Sequence, residues 1–180
     1  MKKILIPLFI LLLVGCQSIS TGKLDTSKLT EVEMNDVSDE KKKRIPLTYE
    51  APSVEEGLKA LPFQMILPEK LPFDATPFLP PVINDLNHDG KFLNAYFRTS
   101  SKNKEEIRFI VQADYPVTDT NIPNSEEITL DNKVIGSYMN NSLGFQLENV
   151  FYNITYVNDG ISREEHKNEL IEVANQMIKQ

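Results

Sequence analysis

From residue 92 onward, apolar and polar residues alternate with a period of two over 92–98, 107–113, 127–130, 133–138, 144–147 and 150–157. An extended chain patterned in this way presents one apolar and one polar face, which predicts six β-strands. Connections as short as Asp131-Asn132 and Glu148-Asn149 predict antiparallel hairpins, since a parallel crossover needs about a dozen residues or more. After Asn158-Asp159-Gly160 the period lengthens. Ser162-Arg163-Glu164-Glu165 has the spacing of a helix capping box, and Leu170, Ile171, Ala174, Met177 and Ile178 fall on one stripe of a helix reaching Lys179. A second capping box, Ser53-Val54-Glu55-Glu56, predicts a short helix that stops at Pro62.

Pro62, Pro68, Pro72, Pro77, Pro80 and Pro81 follow, interleaved with Phe63, Met65, Leu67, Leu71, Phe73, Phe78 and Leu79. Proline excludes both helix interior and central strand, so this stretch is expected to be extended along an apolar surface. Together the elements predict an α+β fold. Its antiparallel meander sheet has about five or six strands packed on a C-terminal amphipathic helix, with a short N-terminal helix.

Residues 16–50 have a different texture, polar with a weak scatter of Leu24, Leu29, Val32, Met34 and Val37, and read as a flexible tether. Such a coil spans on the order of 30 Å. The basic block Lys41-Lys42-Lys43-Arg44 follows an acidic stretch that offsets it. Residues 51–180, read as a single extracytoplasmic domain, hold 11 basic and 19 acidic residues, a net of −8 within a chain total of −7. That balance excludes a broad nucleic-acid surface. Two His, one Cys and no Trp exclude a zinc cage, a disulfide framework and a Cys–His nucleophile pair, and no cofactor is expected.

The one cysteine stands at the end of a leader. Met1-Lys2-Lys3 is followed by an apolar run over 4–14, broken only by Pro7, and then by Gly15. Eleven residues span about 16 Å of helix, short of the ~30 Å needed to cross a bilayer, so residues 1–15 read as an export signal. Leu13-Val14-Gly15-Cys16 resembles the lipobox of the bacterial lipoprotein family. The resemblance implies diacylglyceryl transfer to the Cys16 thiol, cleavage before it, and a domain held by lipid at the extracytoplasmic face of the plasma membrane. Gln17 would direct it to the outer membrane where the host has two membranes. An ordinary secretory signal with a chance cysteine is the alternative. The domain is similar to uncharacterised extracytoplasmic lipoproteins and sensor ectodomains of Bacillus-type bacteria. The likeness runs through Leu61-Pro62-Phe63, Leu71-Pro72-Phe73, Asp89-Gly90-Lys91 and a last strand bearing Tyr152 and Tyr156. That group carries no assigned catalytic residues.

Asp85-Leu86-Asn87-His88-Asp89-Gly90 fits the D-x-N-x-D-G opening of a calcium loop, making Asp85, Asn87 and Asp89 candidate oxygen ligands. The twelfth position is Tyr96 where a bidentate Glu is usual, and Asx residues with glycine also make ordinary turns. His88 and His166 are expected at the surface, and Ser100-Ser101 in a hairpin loop. Glu105-Glu106, Glu126-Glu127 and Glu164-Glu165 are read as solvated charge rather than an acid–base pair. Tyr96, Tyr138, Tyr152 and Tyr156 lie in alternating strands, and tyrosines on an uncovered face could bind peptide or glycan. The expectation is a non-enzymatic binding or interaction module at the cell surface, with a membrane-protein or envelope partner. Small-ligand or ion binding, calcium included, and envelope hydrolysis are the alternatives.

Overall fold

The computed structural model describes residues 22–33, 38–104, 106–118 and 122–180. The signal and Cys16 lie outside them. The chain forms β1 (Thr30–Glu31), α1 (Asp39–Lys42), β2 (Leu47–Glu50), α2 (Val54–Ala60), β3 (Val82–Asp85), β4 (Leu93–Ser100) and β5 (Arg108–Tyr115). It continues with β6 (Glu126–Thr129), β7 (Ile135–Met139), β8 (Ser142–Leu147), β9 (Val150–Val157) and α3 (Arg163–Ile178). The strands make one sheet in the order β1-β2-β3-β4-β5-β9-β8-β7-β6, antiparallel throughout.

The α+β class stands, but the described residues hold nine strands rather than five or six. The three additional ones are short: β1 and β2 lie in the polar stretch, and β3 begins directly behind Pro80-Pro81. The sheet is also two meanders, β1–β5 and β6–β9, joined where β9 pairs with β5. Burial explains that placement. Val150, Tyr152, Ile154 and Tyr156 of β9 are all buried and need neighbours on both sides, whereas β6 shows three exposed positions in four and suits an edge.

The described part of the expected tether belongs largely to the domain. Leu24 is buried and its N–H donates to the Gly90 carbonyl at 2.8 Å, while the Asp25 N–H donates to the Ala60 carbonyl at 2.9 Å. β2 then places Tyr49 in the core.

One face of the sheet carries the core: Ile83, Leu93, Ala95, Phe97, Phe109, Val111, Ala113, Leu143 and Ile154 have no exposed surface. Two elements cover it. α3 lies over β8 and β9, burying His166, Leu170, Val173, Ala174 and Met177. Its capping box is complete, since the Ser162 hydroxyl accepts from the Glu165 N–H and Glu165 accepts from the Ser162 N–H. The carboxylate of Glu165 is held below its usual range by that backbone bond first. His166 was expected at the surface but is 5% exposed. It precedes Leu170 by one helical turn and so continues the apolar stripe. Its ring lies 5.2 Å from that of Tyr156, and Nε2 donates to the Asn158 carbonyl at 2.7 Å.

The proline-rich segment is the second cover; it forms neither helix nor strand, as expected, but bends at 69 and 72–73 where a fully extended run was expected. Its anchor is Tyr152, whose hydroxyl accepts from the Ile66 N–H at 3.1 Å and donates to the Gln64 carbonyl at 3.3 Å. Phe63 stacks on Tyr115 at 4.7 Å, and Phe73 on Tyr156 at 5.7 Å. Gln176 of α3 completes the seal by accepting from the Lys70 N–H at 2.8 Å and donating to the Lys70 carbonyl at 3.3 Å. The first half of the segment is thereby satisfied through side chains from the sheet and the helix, while Thr76 and Leu79 donate their N–H groups to the Ser100 and Arg98 carbonyls of β4 at 2.8 and 2.9 Å.

Removing the Tyr152 hydroxyl orphans two backbone groups of the segment, so Tyr152→Phe is expected to cost about 1–3 kcal/mol in chemical denaturation at neutral pH. Burial, first among its causes, raises the Tyr152 phenol above 10.0 and penalises the tyrosinate in the folded state. The stabilising effect of the neutral phenol is therefore complete below pH 10.0 and lost as pH rises through the raised value. The variant should lose less stability than the parent above pH 10.0, and an equal loss contradicts the assignment.

Candidate functional site

The opposite face of the sheet is the candidate. Its side chains come from the polar half of the strand alternation, and they are joined across four strands. The Thr48 hydroxyl on β2 donates to Asn84 Oδ1 on β3 at 2.9 Å. Asn84 Nδ2 donates to Asn94 Oδ1 on β4 at 3.4 Å, and Asn94 Nδ2 donates to Asp114 Oδ1 on β5. Gln112 Nε2 donates to both carboxylate oxygens of Asp114, at 3.2 and 3.0 Å. The sheet register sets this row, pairing Thr48 with Asn84, Asn84 with Asn94 and Asn94 with Asp114. Aligned positions on one face are neighbours, so each side chain reaches the next without a change of backbone.

The row ends on a carboxylate, which accepts charge-assisted bonds roughly twice as strong as neutral ones. Asn94 is 6% exposed although it faces away from the core, because its neighbours close around it. Tyr96 stands beside the row. Burial first, and then the Asp114 charge, raise its phenol above the ordinary value, with a bond to Asn94 opposing them. Tyr96 therefore presents a neutral hydroxyl at neutral pH.

Further along the face, Ser142 and Thr155 share a hydroxyl hydrogen bond of 2.8 Å, and Arg98 and Gln146 are exposed. Gly144 lies where a Cβ would stand 2.6 Å from the Phe151 ring and 2.9 Å from Ile122. Only glycine admits that approach, which brings the chain behind β5 onto the β8–β9 part of the face. Beside it a depression of about 370 Å³ is lined by Ile135, Ser137, Gln146 and Phe151 among others. On the covered side, a depression of about 490 Å³ lies between Phe63, Tyr115, Tyr152 and Met177.

The other sequence candidates fall elsewhere. Cys16 is outside the described residues. Asp85 ends β3, and its Oδ2 accepts from the Gly90 N–H at 2.8 Å; Asp89 Oδ1 accepts from the Lys91 N–H at 3.0 Å, while Asn87 is exposed. His88 is exposed, and its Nε2 donates to the Ile45 carbonyl at 2.7 Å. Ser101 lies in the β4–β5 hairpin, where its hydroxyl accepts from the Asn103 N–H. Glu126 pairs with Lys167 at 2.5 Å, Glu165 caps α3, and Glu105 is outside the described residues. Glu169 is raised by burial first, then by Glu172 and Glu165, but it lies on α3, across the sheet from Asp114. Among the described residues no three His, Cys, Asp or Glu side chains group to hold a metal ion.

Tyr138, Tyr152 and Tyr156 all face the core, leaving Tyr96 as the strand tyrosine on the open face. Sequence reasoning followed aromatics and passed over amides. The signal was present in the polar positions 84, 94, 112, 153 and 155, whose uncharged Asn, Gln and Thr around Asp114 are unusual for a merely solvated face.

Asn94 and Asp114 should act as a unit. A double-mutant cycle with Asn94→Ala and Asp114→Ala is expected to give a coupling of about 1.5–3 kcal/mol in folding stability, the range for a hydrogen bond to a charged group. Additive effects contradict the ladder. Comparison of the chain with protein-family models, characterised proteins and solved structures gives no match.

Proposed function

We propose that the chain is a lipid-anchored extracytoplasmic lipoprotein whose domain is a non-enzymatic interaction module, holding an envelope or membrane protein on its open sheet face. The leader and Cys16 support the anchor through their resemblance to the lipobox. Lipid through Cys16 would hold the domain at the extracytoplasmic membrane face and raise its effective concentration toward partners in that plane.

The observation that carries the interaction reading is the fixed ladder Thr48–Asn84–Asn94–Asp114–Gln112 on a face that no named helix covers. Eight-residue strands β4, β5 and β9 run about 27 Å, and five adjacent strands spread about 20 Å. That is about 540 Å² of flat surface, some two thirds of the ~800 Å² which one partner buries in a standard protein interface, and it exceeds what a small ligand fills. Its pre-ordered donors and acceptors lose little side-chain entropy on binding. Ile135 and Met139, both exposed on β7, add an apolar margin.

Covalent crosslinking in native cells, followed by mass spectrometry of lipidated protein recovered from membranes, tests this reading. One envelope protein should crosslink to the parent, and at least about tenfold less to Cys16→Ala or to the exposed-face double variant Arg98→Glu, Gln146→Lys. Glu172→Lys on α3 should leave the yield unchanged. A membrane-bound, folded parent with no specific partner, or a partner indifferent to the open-face variant, overturns the proposal.

A further inference from the structure

The β3–β4 loop contains a polar atom that the fold leaves without a partner. Asp85 is 4% exposed, and its Oδ1 is buried with no hydrogen bond. A carboxylate oxygen withdrawn from water costs stability unless a donor or a cation meets it. An ordinary Asx turn leaves this oxygen in water or gives it an N–H. Here Oδ2 is already held by the Gly90 N–H across the loop, so the carboxylate cannot turn to bring Oδ1 to that donor.

We propose that this loop is a Ca²⁺ site. Asp85 Oδ1, the Asn87 side-chain oxygen, the Asp89 carboxylate and a main-chain carbonyl after Gly90 would supply ligands, with water filling the remaining positions. Asp85, Asn87 and Asp89 stand at alternate positions, the spacing by which a chain wraps a hard cation with oxygen. The backbone is bent to match, with φ of +60° at His88 and +72° at Gly90. Leu86 N–H to Phe92 carbonyl at 2.8 Å closes the loop, and Leu24 N–H to Gly90 carbonyl at 2.8 Å braces it from outside. The His88 ring is turned to Ile45, away from competition for the ion.

Tyr96 occupies the twelfth position and lies on β4, so no bidentate Glu closes the coordination. An incomplete, hydrated oxygen set of this kind binds in the weak range of extracellular modules, with Kd of about 0.1–1 mM. Magnesium demands a tighter octahedron and should not substitute. The site stands independently of the open-face reading, although Asn84 of the ladder directly precedes Asp85.

CaCl2 titrated onto the purified full-length chain in detergent, by calorimetry and thermal melting, tests the site against MgCl2. Saturable Ca²⁺ binding with a raised Tm is expected at millimolar concentration, with MgCl2 inert. Asp85→Asn also disturbs the bond to Gly90 that the fold uses, so the exposed double variant Asn87→Ala, Asp89→Ala carries the test. It should still fold without Ca²⁺, show no rise of its own Tm in millimolar CaCl2, and bind Ca²⁺ at least about tenfold more weakly. No saturable Ca²⁺ effect on the parent up to about 10 mM, an equal effect of Mg²⁺, or unchanged affinity in the double variant overturns the proposal.

Discussion

A single sheet has two faces, and α3 and the proline-rich segment of this domain are both laid on one of them. Everything else follows from how that face is closed. α3 is wide enough for β8 and β9, which leaves the β4–β5 half of the core to a segment rich in proline. That segment has few N–H groups of its own to pair, and it is held by Tyr152, Gln176 and two stacked aromatic pairs. Tyrosine is suited to the position because its ring belongs to the core while its hydroxyl reaches a backbone beyond it. β9 is the element both covers need, and its place between β5 and β8 turns two meanders into one sheet.

Apart from the chain behind β5, which lies against Gly144, no covering element is described on the opposite face, and its β2–β5 part is organised from within. Amide and hydroxyl side chains in register satisfy one another and converge on Asp114, so the surface is ordered before anything binds. Order of this kind costs side-chain entropy during folding, and a surface that is only solvated has no use for it. Two edges of the same sheet have different characters. β6 is short and charged, a pattern that discourages pairing with another chain, while β1 is two residues long.

The strands over 92–157 and both capped helices were legible because period and capping are local signals. β3 was hidden by Pro80-Pro81, which made the whole stretch read as non-strand, and β1 and β2 by their length. The return of β9 to the sheet centre is a long-range choice that no local pattern encodes; only the uninterrupted burial of Val150, Tyr152, Ile154 and Tyr156 hints at it. His166 was misplaced by its chemistry, although its spacing to Leu170 assigned it to the stripe. The ladder was half legible. Its residues are visible in the polar half of the strands, but their convergence depends on a register that includes the overlooked β2 and β3.

The central claim is that the open face is occupied in the cell. It can be read directly with single cysteines, because Cys16 is the chain's one cysteine and lipidation would remove its thiol. Arg98→Cys reports on the open face and Glu172→Cys on the outer side of α3. The measurement is the rate of maleimide labelling on intact cells against the same proteins purified in detergent. Strong protection of Arg98→Cys in cells, with Glu172→Cys labelled equally in both, is the predicted result. Equal labelling of Arg98→Cys in cells and in isolation would contradict the account.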